Sequence, residues 1–387
     1  MIRLHDVAGH EAARRALARA HAAEGLPSAM LFHGARGVGK QRMALWTAQL
    51  QVCASPGPDG PCDSCRPCRL ALGLEHPDIH WYFPLLRPKG ASGDRLGDAL
   101  DVARIDGLVA RRNEPLTPSV GDEYRGLYLA MIQNLRRRAH VAPSEAPVQT
   151  FIVADAEFLV PQESSPEAAN ALLKLLEEPP ASTRFILTSS EPGRLLPTIR
   201  SRSVPLHLSP LPRTEVAAFL VKHRQTDEKT ATWAATLAAG SIGRALGFLP
   251  EDDGEAGPLE GTRREAFTLV EAALSGHRAE GWVQALVQHP SGARKMIELF
   301  YFVESWVRDL AAVAAGAPEA VLNQDALEAL RRIALDRDLR PADAATALHG
   351  VEEAREMARG NVNPQLIVAG LTRHLRRTLL PRRVPTS

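Results

Sequence analysis

The sequence predicts an α/β protein: a P-loop domain on a mainly parallel sheet, then a small helical lid domain and a C-terminal all-α domain. Three observations carry this expectation. Short apolar runs alternate with helical patterns up to about residue 208. A glycine-rich loop joins the first such run to a helix. Beyond Pro212 no further β-rich runs occur, and Ala, Leu, Glu and Arg dominate. Strands alternating with helices imply a parallel sheet covered on both faces.

Glu11 to Ala23 suits an amphipathic helix that Gly25-Leu26-Pro27 stops, and Met30-Leu31-Phe32 is a short buried strand. Gly34-Ala35-Arg36-Gly37-Val38-Gly39-Lys40 follows, and Met43, Ala44, Leu45, Trp46, Ala48, Leu50 and Val52 mark a well-buried helix. Phe151 to Asp155 is a second apolar strand, ending in an acid, and Phe185 to Thr188 is a third. Between them Pro166 to Glu178 is a helix with leucines inward, closed by Pro179-Pro180. The segment 87–128, rich in Gly, Pro, Asp and Arg with one helix from Leu100 to Val109, reads as a surface insertion of no assigned function. Two polar or proline-rich stretches, Ser209 to Pro212 and Glu251 to Pro258, divide the chain. The expected domains are 1–208, 209–250 and 262–380.

The 387 residues are 45% hydrophobic and 24% charged, the balance of an ordinary soluble globular protein. Lys and Arg number 46 against 45 acidic residues, net +1, so the chain lacks the basic field of a free-standing nucleic-acid binder. No apolar stretch is long enough to span a membrane, and Met1 to Leu31 lacks the apolar core of a signal peptide. A cytoplasmic protein without membrane contact is expected. All four cysteines lie between Cys53 and Cys68, which excludes a disulfide scaffold.

Gly34-x-x-x-x-Gly39-Lys40 between strand and helix is a phosphate cradle: glycine amides and a helix N-terminus present N–H groups to an anion, and Lys40 adds charge. Gly37 lies inside the loop. The next position, where a hydroxyl would ligate Mg²⁺, is Gln41, a poorer and longer substitute. Asp155 stands where such folds hold the metal, or else caps a helix. The position after it, normally the Glu that orients water, is Ala156. Glu157 is one residue too far, and in an extended segment that shift turns a side chain to the opposite face. The cradle is thus compatible with ATP binding, but hydrolysis is not expected. Cys53-x8-Cys62-x2-Cys65-x2-Cys68, in a loop rich in Pro and Gly, offers four thiolates for a closed, structural Zn²⁺ site. Thr198-Ile199-Arg200-Ser201-Arg202-Ser203 places two arginines in a short polar segment after the third strand.

Together these matches resemble the delta-prime family of subunits of the bacterial DNA polymerase III clamp loader, within the AAA+ class. The resemblance runs over nearly the whole length. It rests on Leu31-Phe32-His33-Gly34 into the glycine loop, the four cysteines, Asn170 to Pro180, Ser201-Arg202, Gly240 to Leu246 and Asn361 to Leu366. It implies a subunit of a five-membered ring, a component of the polymerase III holoenzyme, that opens the sliding clamp and places it on primed DNA. The implied partners are gamma/tau motor subunits, the delta subunit and the clamp, with DNA reached through the assembly and the C-terminal domain joining a collar. Ser201-Arg202-Ser203 matches the family's Ser-Arg-Cys, which gives an arginine finger to a neighbour's ATP site; serine replaces the cysteine. Arg244 matches the sensor arginine of the lid. The insertion is not part of the usual pattern. Two competing readings are an active gamma/tau-type ATPase, against which Gln41 and Ala156 speak, and a zinc-containing DNA-binding module, against which the neutral charge speaks. Leu299, Phe300, Phe302, Val303, Trp306, Val307 and Leu310 form a helical stripe that is either core or assembly surface.

Overall fold

A computed structural model of the chain describes residues 4–117, 125–159, 167–251, 254–274, 293–360 and 362–380. Pro166 and Asn361, together with parts of the expected insertion and C-terminal domain, lie outside the described residues. Two compact units meet in the sequence at Leu246 and Gly247.

The first unit opens with helix α1 (Glu11–Ala22) and strand β1 (Ala29–His33), whose first four residues are buried. Helix α2 (Lys40–Val52) follows the glycine loop and is buried from Met43 to Val52, so its surface is covered all round. Helix α3 (Arg66–Leu72) closes the cysteine loop, and β2 (Ile79–Tyr82) and the short β3 (Leu85–Leu86) come next. Then follow α4 (Asp94–Asn113), β4 (Arg125–Gly126), α5 (Leu129–Ala139), β5 (Gln149–Val153), α6 (Glu167–Glu177), β6 (Thr183–Ser189), α7 (Pro197–Ser201) and β7 (Val204–His207). Three helices follow, α8 (Arg213–Arg224), α9 (Glu228–Leu237) and α10 (Ile242–Phe248), the last of which runs into the second unit.

The sheet is parallel, in the order β2-β5-β6-β1-β7. It bears out the parallel α/β expectation and adds two edge strands that were not foreseen. β5 is wholly buried, and Phe151 stacks on its cross-strand partner Phe185 at 5.7 Å. The edge strands have four residues each, with β2 half-buried and β7 mostly exposed. β7 carries Pro205, which has no N–H to offer a further strand and so blunts that edge.

The insertion is more than a surface feature. α4 is twice as long as expected, and it buries Leu100 and Arg104. Asp101 receives Arg104 at 2.8 Å and Arg138 at 3.0 Å, while the Arg111 guanidinium lies 3.6 Å from the Phe83 ring centre. Cations stacked on aromatic faces and paired with a carboxylate hold this helix against the β2 end of the sheet.

The second unit is helical: α11 (Pro258–Leu274), α12 (Ala293–Ala314), α13 (Leu327–Asp336), α14 (Pro341–Arg359) and α15 (Pro364–Leu379). α12 packs against α11, α13 and α14. Its stripe from Leu299 to Leu310 is no more than 3% exposed at any of its seven apolar positions, which settles the stripe as core. A buried arginine, Arg263, donates to Glu260 at 2.7 Å and Asp325 at 2.6 Å, and Trp306 Nε1 donates to its carbonyl at 3.0 Å. Among the described residues no helix is long and apolar enough to cross a membrane.

His80 stacks on Phe151 at 4.6 Å. Burial, then the Arg138 and Arg104 charges, lowers its pKa to about 4, and burial and Arg42 do the same to His5. The unfolded chain protonates both near their ordinary value of about 6.5, while the folded chain does not until about 4. Their contribution is therefore present above about pH 6.5 and lost on acidification towards pH 4. Thermal melting should fall across that window, and His80→Phe, which keeps a ring on Phe151, should flatten the fall. A midpoint constant from pH 7 to 4 would contradict this account.

Candidate functional site

The glycine loop leaves the carboxyl end of β1 and is closed on itself. Gly37 has φ 75°, and a Cβ there would lie 2.5 Å from Ser241 Oγ and 3.0 Å from the Arg244 amide. Only glycine fits that approach. The start of α10 grips the loop through its backbone, because Gly243 N donates to Gly37 O at 2.9 Å and Ser241 Oγ to Arg36 O at 2.7 Å. From the other side His10 Nε2 donates to Val38 O at 2.8 Å, which fixes its tautomer. Gly34 and Gly39 also have positive φ, 150° and 108°.

Lys40 is 5% exposed. Its ammonium donates to Gly34 O at 3.0 Å, Ala35 O at 2.8 Å and Ser190 Oγ at 2.9 Å, so each of its three N–H groups already has an acceptor within the chain. Burial lowers its pKa, and the nearby carboxylates Asp155 and Glu157 oppose that. A phosphate entering the cradle competes with three formed hydrogen bonds.

Gln41 and Asp155, the two residues in the metal positions, bond to each other: Gln41 Nε2 donates to Asp155 Oδ2 at 3.0 Å. The carboxylate accepts only, so the amide must turn its NH₂ towards it. Mg²⁺ demands oxygen acceptors in near-octahedral order, and an N–H aimed at the carboxylate is the opposite of that. The donor set does not fit the metal.

Glu157 corrects the sequence reading. β5 ends at Val153, Asp155 takes a left-handed φ of 49°, and Ala156 to Leu159 coil into a 3-10 turn. The alternation of an extended strand therefore does not apply. Glu157 is buried, its Oε1 accepts from Ser190 N at 3.0 Å, and Ser190 Oγ holds Lys40. Burial, followed by the Asp155 charge, raises its pKa. His10, Ser190 and Ser241 were not foreseen either. Ser190 and Ser241 act on residues 150 and 205 positions away, beyond any local pattern.

The four cysteines come together. Cys53 caps the end of α2, Cys65 precedes α3 and Cys68 lies within it. Their Sγ atoms all lie within 4.8 Å of one another. Tetrahedral Zn²⁺ with Zn–S near 2.3 Å sets sulfurs about 3.8 Å apart, so the donor set fits that ion. Backbone amides already serve the sulfurs: Cys62 N donates to Cys53 Sγ at 3.2 Å and Cys65 N to Cys62 Sγ at 3.4 Å. Hydrogen bonds from Ser64 and Cys65 lower the Cys62 thiol to about 6, and burial pushes Cys68 up.

Arg202 follows α7 and is exposed. Its guanidinium pairs with Glu177 at 2.8 Å and donates to Thr198 O at 3.2 Å. Arg200 is exposed two residues earlier. Arg244 is half-buried in α10, its amide bonded to Ser241 Oγ at 3.2 Å beside the glycine loop.

A family model described as "DNA polymerase III, delta subunit" matches residues 9–212. The DNA polymerase III subunit delta′ of Bacillus subtilis is 26% identical over 365 residues, 90% of this chain and 90% of that one. The subunit delta′ of Escherichia coli is 30% identical over 228 residues, 59% of this chain and 56% of that one. The subunit gamma/tau of Mycobacterium bovis is 31% identical over 211 residues, 54% of this chain but 29% of that one. The parallel sheet, the glycine loop at the end of β1 and these matches agree, and the chain belongs to the DNA polymerase III delta-subunit family as a delta-prime-type clamp-loader subunit.

Proposed function

We propose that this chain is a non-hydrolysing clamp-loader subunit that lends Arg202 to the ATP site of a neighbouring gamma/tau-type motor subunit while the sliding clamp is loaded on primed DNA. The observation that carries the reading is the Gln41–Asp155 hydrogen bond across the position where a motor holds its metal. The chain's own site thereby lacks what a cis reaction needs, whereas Arg202 is free to serve another. Its pairing with Glu177 is no obstacle: both side chains are about 40% exposed, and such a pair contributes at most about 1 kcal/mol. A guanidinium matches phosphate oxygens with a planar fork of donors, so exchanging Glu177 for a γ-phosphate favours the phosphate. The partners on this reading are gamma/tau subunits, the delta subunit, the clamp, and DNA through the assembly. The working parts are 1–208, a lid at 209–250 and an assembly domain at 262–380, of which 275–292 lies outside the described residues.

A second reading, an active ATPase, draws on Glu157, which the 3-10 turn returns to the neighbourhood of Lys40 and Ser190. Turnover separates the two. The purified chain should hydrolyse no ATP above background; turnover abolished by Lys40→Ala would establish the second reading.

In reconstituted assemblies Arg202→Ala should lower ATP turnover at one neighbouring site by roughly 10³-fold, partly masked in the total by the other motor sites. Arg200→Ala should leave it near wild type. The reverse result would move the finger to Arg200, and two fully active variants would remove the finger.

Cys53, Cys62, Cys65 and Cys68 should hold one structural zinc per chain, which metal analysis reads directly. Cys65→Ser should lose the ion and lower the melting temperature, because the closed loop has little else to order it. Zinc unchanged in that variant would refute the site.

A further inference from the structure

We infer that the groove between α14 and α15 docks an acidic amphipathic helix of a neighbouring clamp-loader subunit, an inference that rests on the assembly role proposed above. The apolar stripe of α12 is consumed by the core, so any assembly surface on this unit lies elsewhere. Glu353 and Met357 of α14 face Gly370, Arg373 and Arg377 of α15 across a cavity of about 570 Å³. Met357, which lines it, is 39% exposed, and Val362 and Leu366, just before α15 and at its start, are 43% and 68% exposed.

The helical period organises this surface. Leu366, Gly370, Arg373 and Arg377 are spaced by four, three and four residues and so line one face of α15. Ile367, Val368, Leu375 and Leu379 are buried on the other, and Leu371, also buried, borders the groove. The outer face is apolar towards the helix start and cationic towards its end. The α15 sequence holds three arginines and no acidic residue. A partner helix therefore needs apolar residues over Leu366 and Met357 and, two turns on, carboxylates over Arg373 and Arg377.

Gly370 points the same way. A glycine in a helix interior costs about 1 kcal/mol relative to alanine. At Gly350 the fold explains it, since a Cβ there would run into the His374 ring. At Gly370 a Cβ would meet nothing within 4 Å, so the packing of this unit gives no reason for the missing side chain. What glycine does there is lay bare the backbone of α15 on the groove side, where a second helix can approach closely. A nucleic acid would use the arginines, but it would leave Met357, Val362 and Leu366 without an apolar partner. The surface favours protein.

The test measures association of the full chain with the cognate gamma/tau-type subunit, with and without delta. Gly370→Leu fills the groove at a position with open space, and Arg373→Glu with Arg377→Glu reverses its charge. Each should weaken association at least tenfold while leaving the melting temperature of the free chain unchanged or, for Gly370→Leu, raised. Arg331→Glu, an exposed change on α13, should leave association at the wild-type value. If wild type and all variants assemble equally well, the groove is not the docking surface and the assembly role stands. If the wild-type chain itself does not associate, the assembly role fails and this inference with it. Should the arginine pair prove necessary for binding primed DNA but not for assembly, the surface is a nucleic-acid contact and the protein-docking inference is overturned. A destabilised Gly370→Leu shifts the decision to the charge-reversed pair, which is exposed and tests the same groove.

Discussion

Lys40 ties together the carboxyl ends of the central strands. β1 supplies the loop whose carbonyls it bonds, β6 runs into Ser190, and β5 leads to the acids Asp155 and Glu157 that keep its charge tolerable at 5% exposure. A buried ammonium with three donors needs three acceptors or loses its proton. This chain meets the requirement from its own backbone and one serine. The glycine loop is consequently held from inside by Lys40 and from outside by His10, Ser241 and Gly243, and its conformation follows from hydrogen bonds already formed. In a motor site the same lysine would face a phosphate. Here the protein's own carbonyls and Ser190 supply the counter-groups, and the same loop is bonded to Ser241 and Gly243 beside helix α10.

On the proposed reading, that arrangement accounts for cradle and finger carrying different amounts of chemistry. Gln41 and Asp155 satisfy one another through a hydrogen bond at the strand ends. Arg202 is the contrary case. It lies outside the core, held by an exposed carboxylate and one backbone carbonyl, and both are weak holds in water. On the proposed reading, the residues buried in the first unit build a rigid frame, and the group that acts is left on its surface.

The sequence made legible what local pattern encodes. β1, the glycine loop and α2 follow from an apolar run, three glycines and a lysine; the four cysteines follow from their spacing. The edge strands escaped because β2 and β7 have only four residues each, and Pro205 reads as a strand breaker. Glu157 was misplaced for a sharper reason. Whether it faces the site depends on Asp155 adopting a left-handed φ, a state a non-glycine residue takes only when its surroundings impose it, here with Thr188 Oγ1 accepting from the Asp155 amide at 3.0 Å. The stripe on α12 could be identified as apolar but not assigned to core or surface, because that depends on which helices pack around it. The length of α4 was underestimated for a like reason. Its last turns carry Arg111, which lies over the Phe83 ring, and its Asp101 takes Arg138 of α5, contacts with other elements that no helical pattern reports.

The cysteine loop acts on the same helix from its other end. α2 begins at Lys40 and ends against Cys53, so whatever fixes its last turn also limits how its first turn can move. Three contacts beyond the sulfurs do this. Gln49 Nε2 donates to Asp63 Oδ1 at 2.6 Å, Gly57 and Gly60 exchange backbone hydrogen bonds, and Gly60 packs so closely on the Trp46 ring that a Cβ there would collide with it. A loop rich in prolines and glycines has little apolar interior to order it, and on the proposed reading a metal closed by four sulfurs would supply the missing cohesion. The loop then clamps a helix that is buried on every side and has no freedom to drift. On the proposed reading, a zinc ion held there needs no nucleic acid to justify it: it would steady the helix that carries Lys40 to the strand ends, and so belong with the lysine to the framework on which the exposed arginine is mounted.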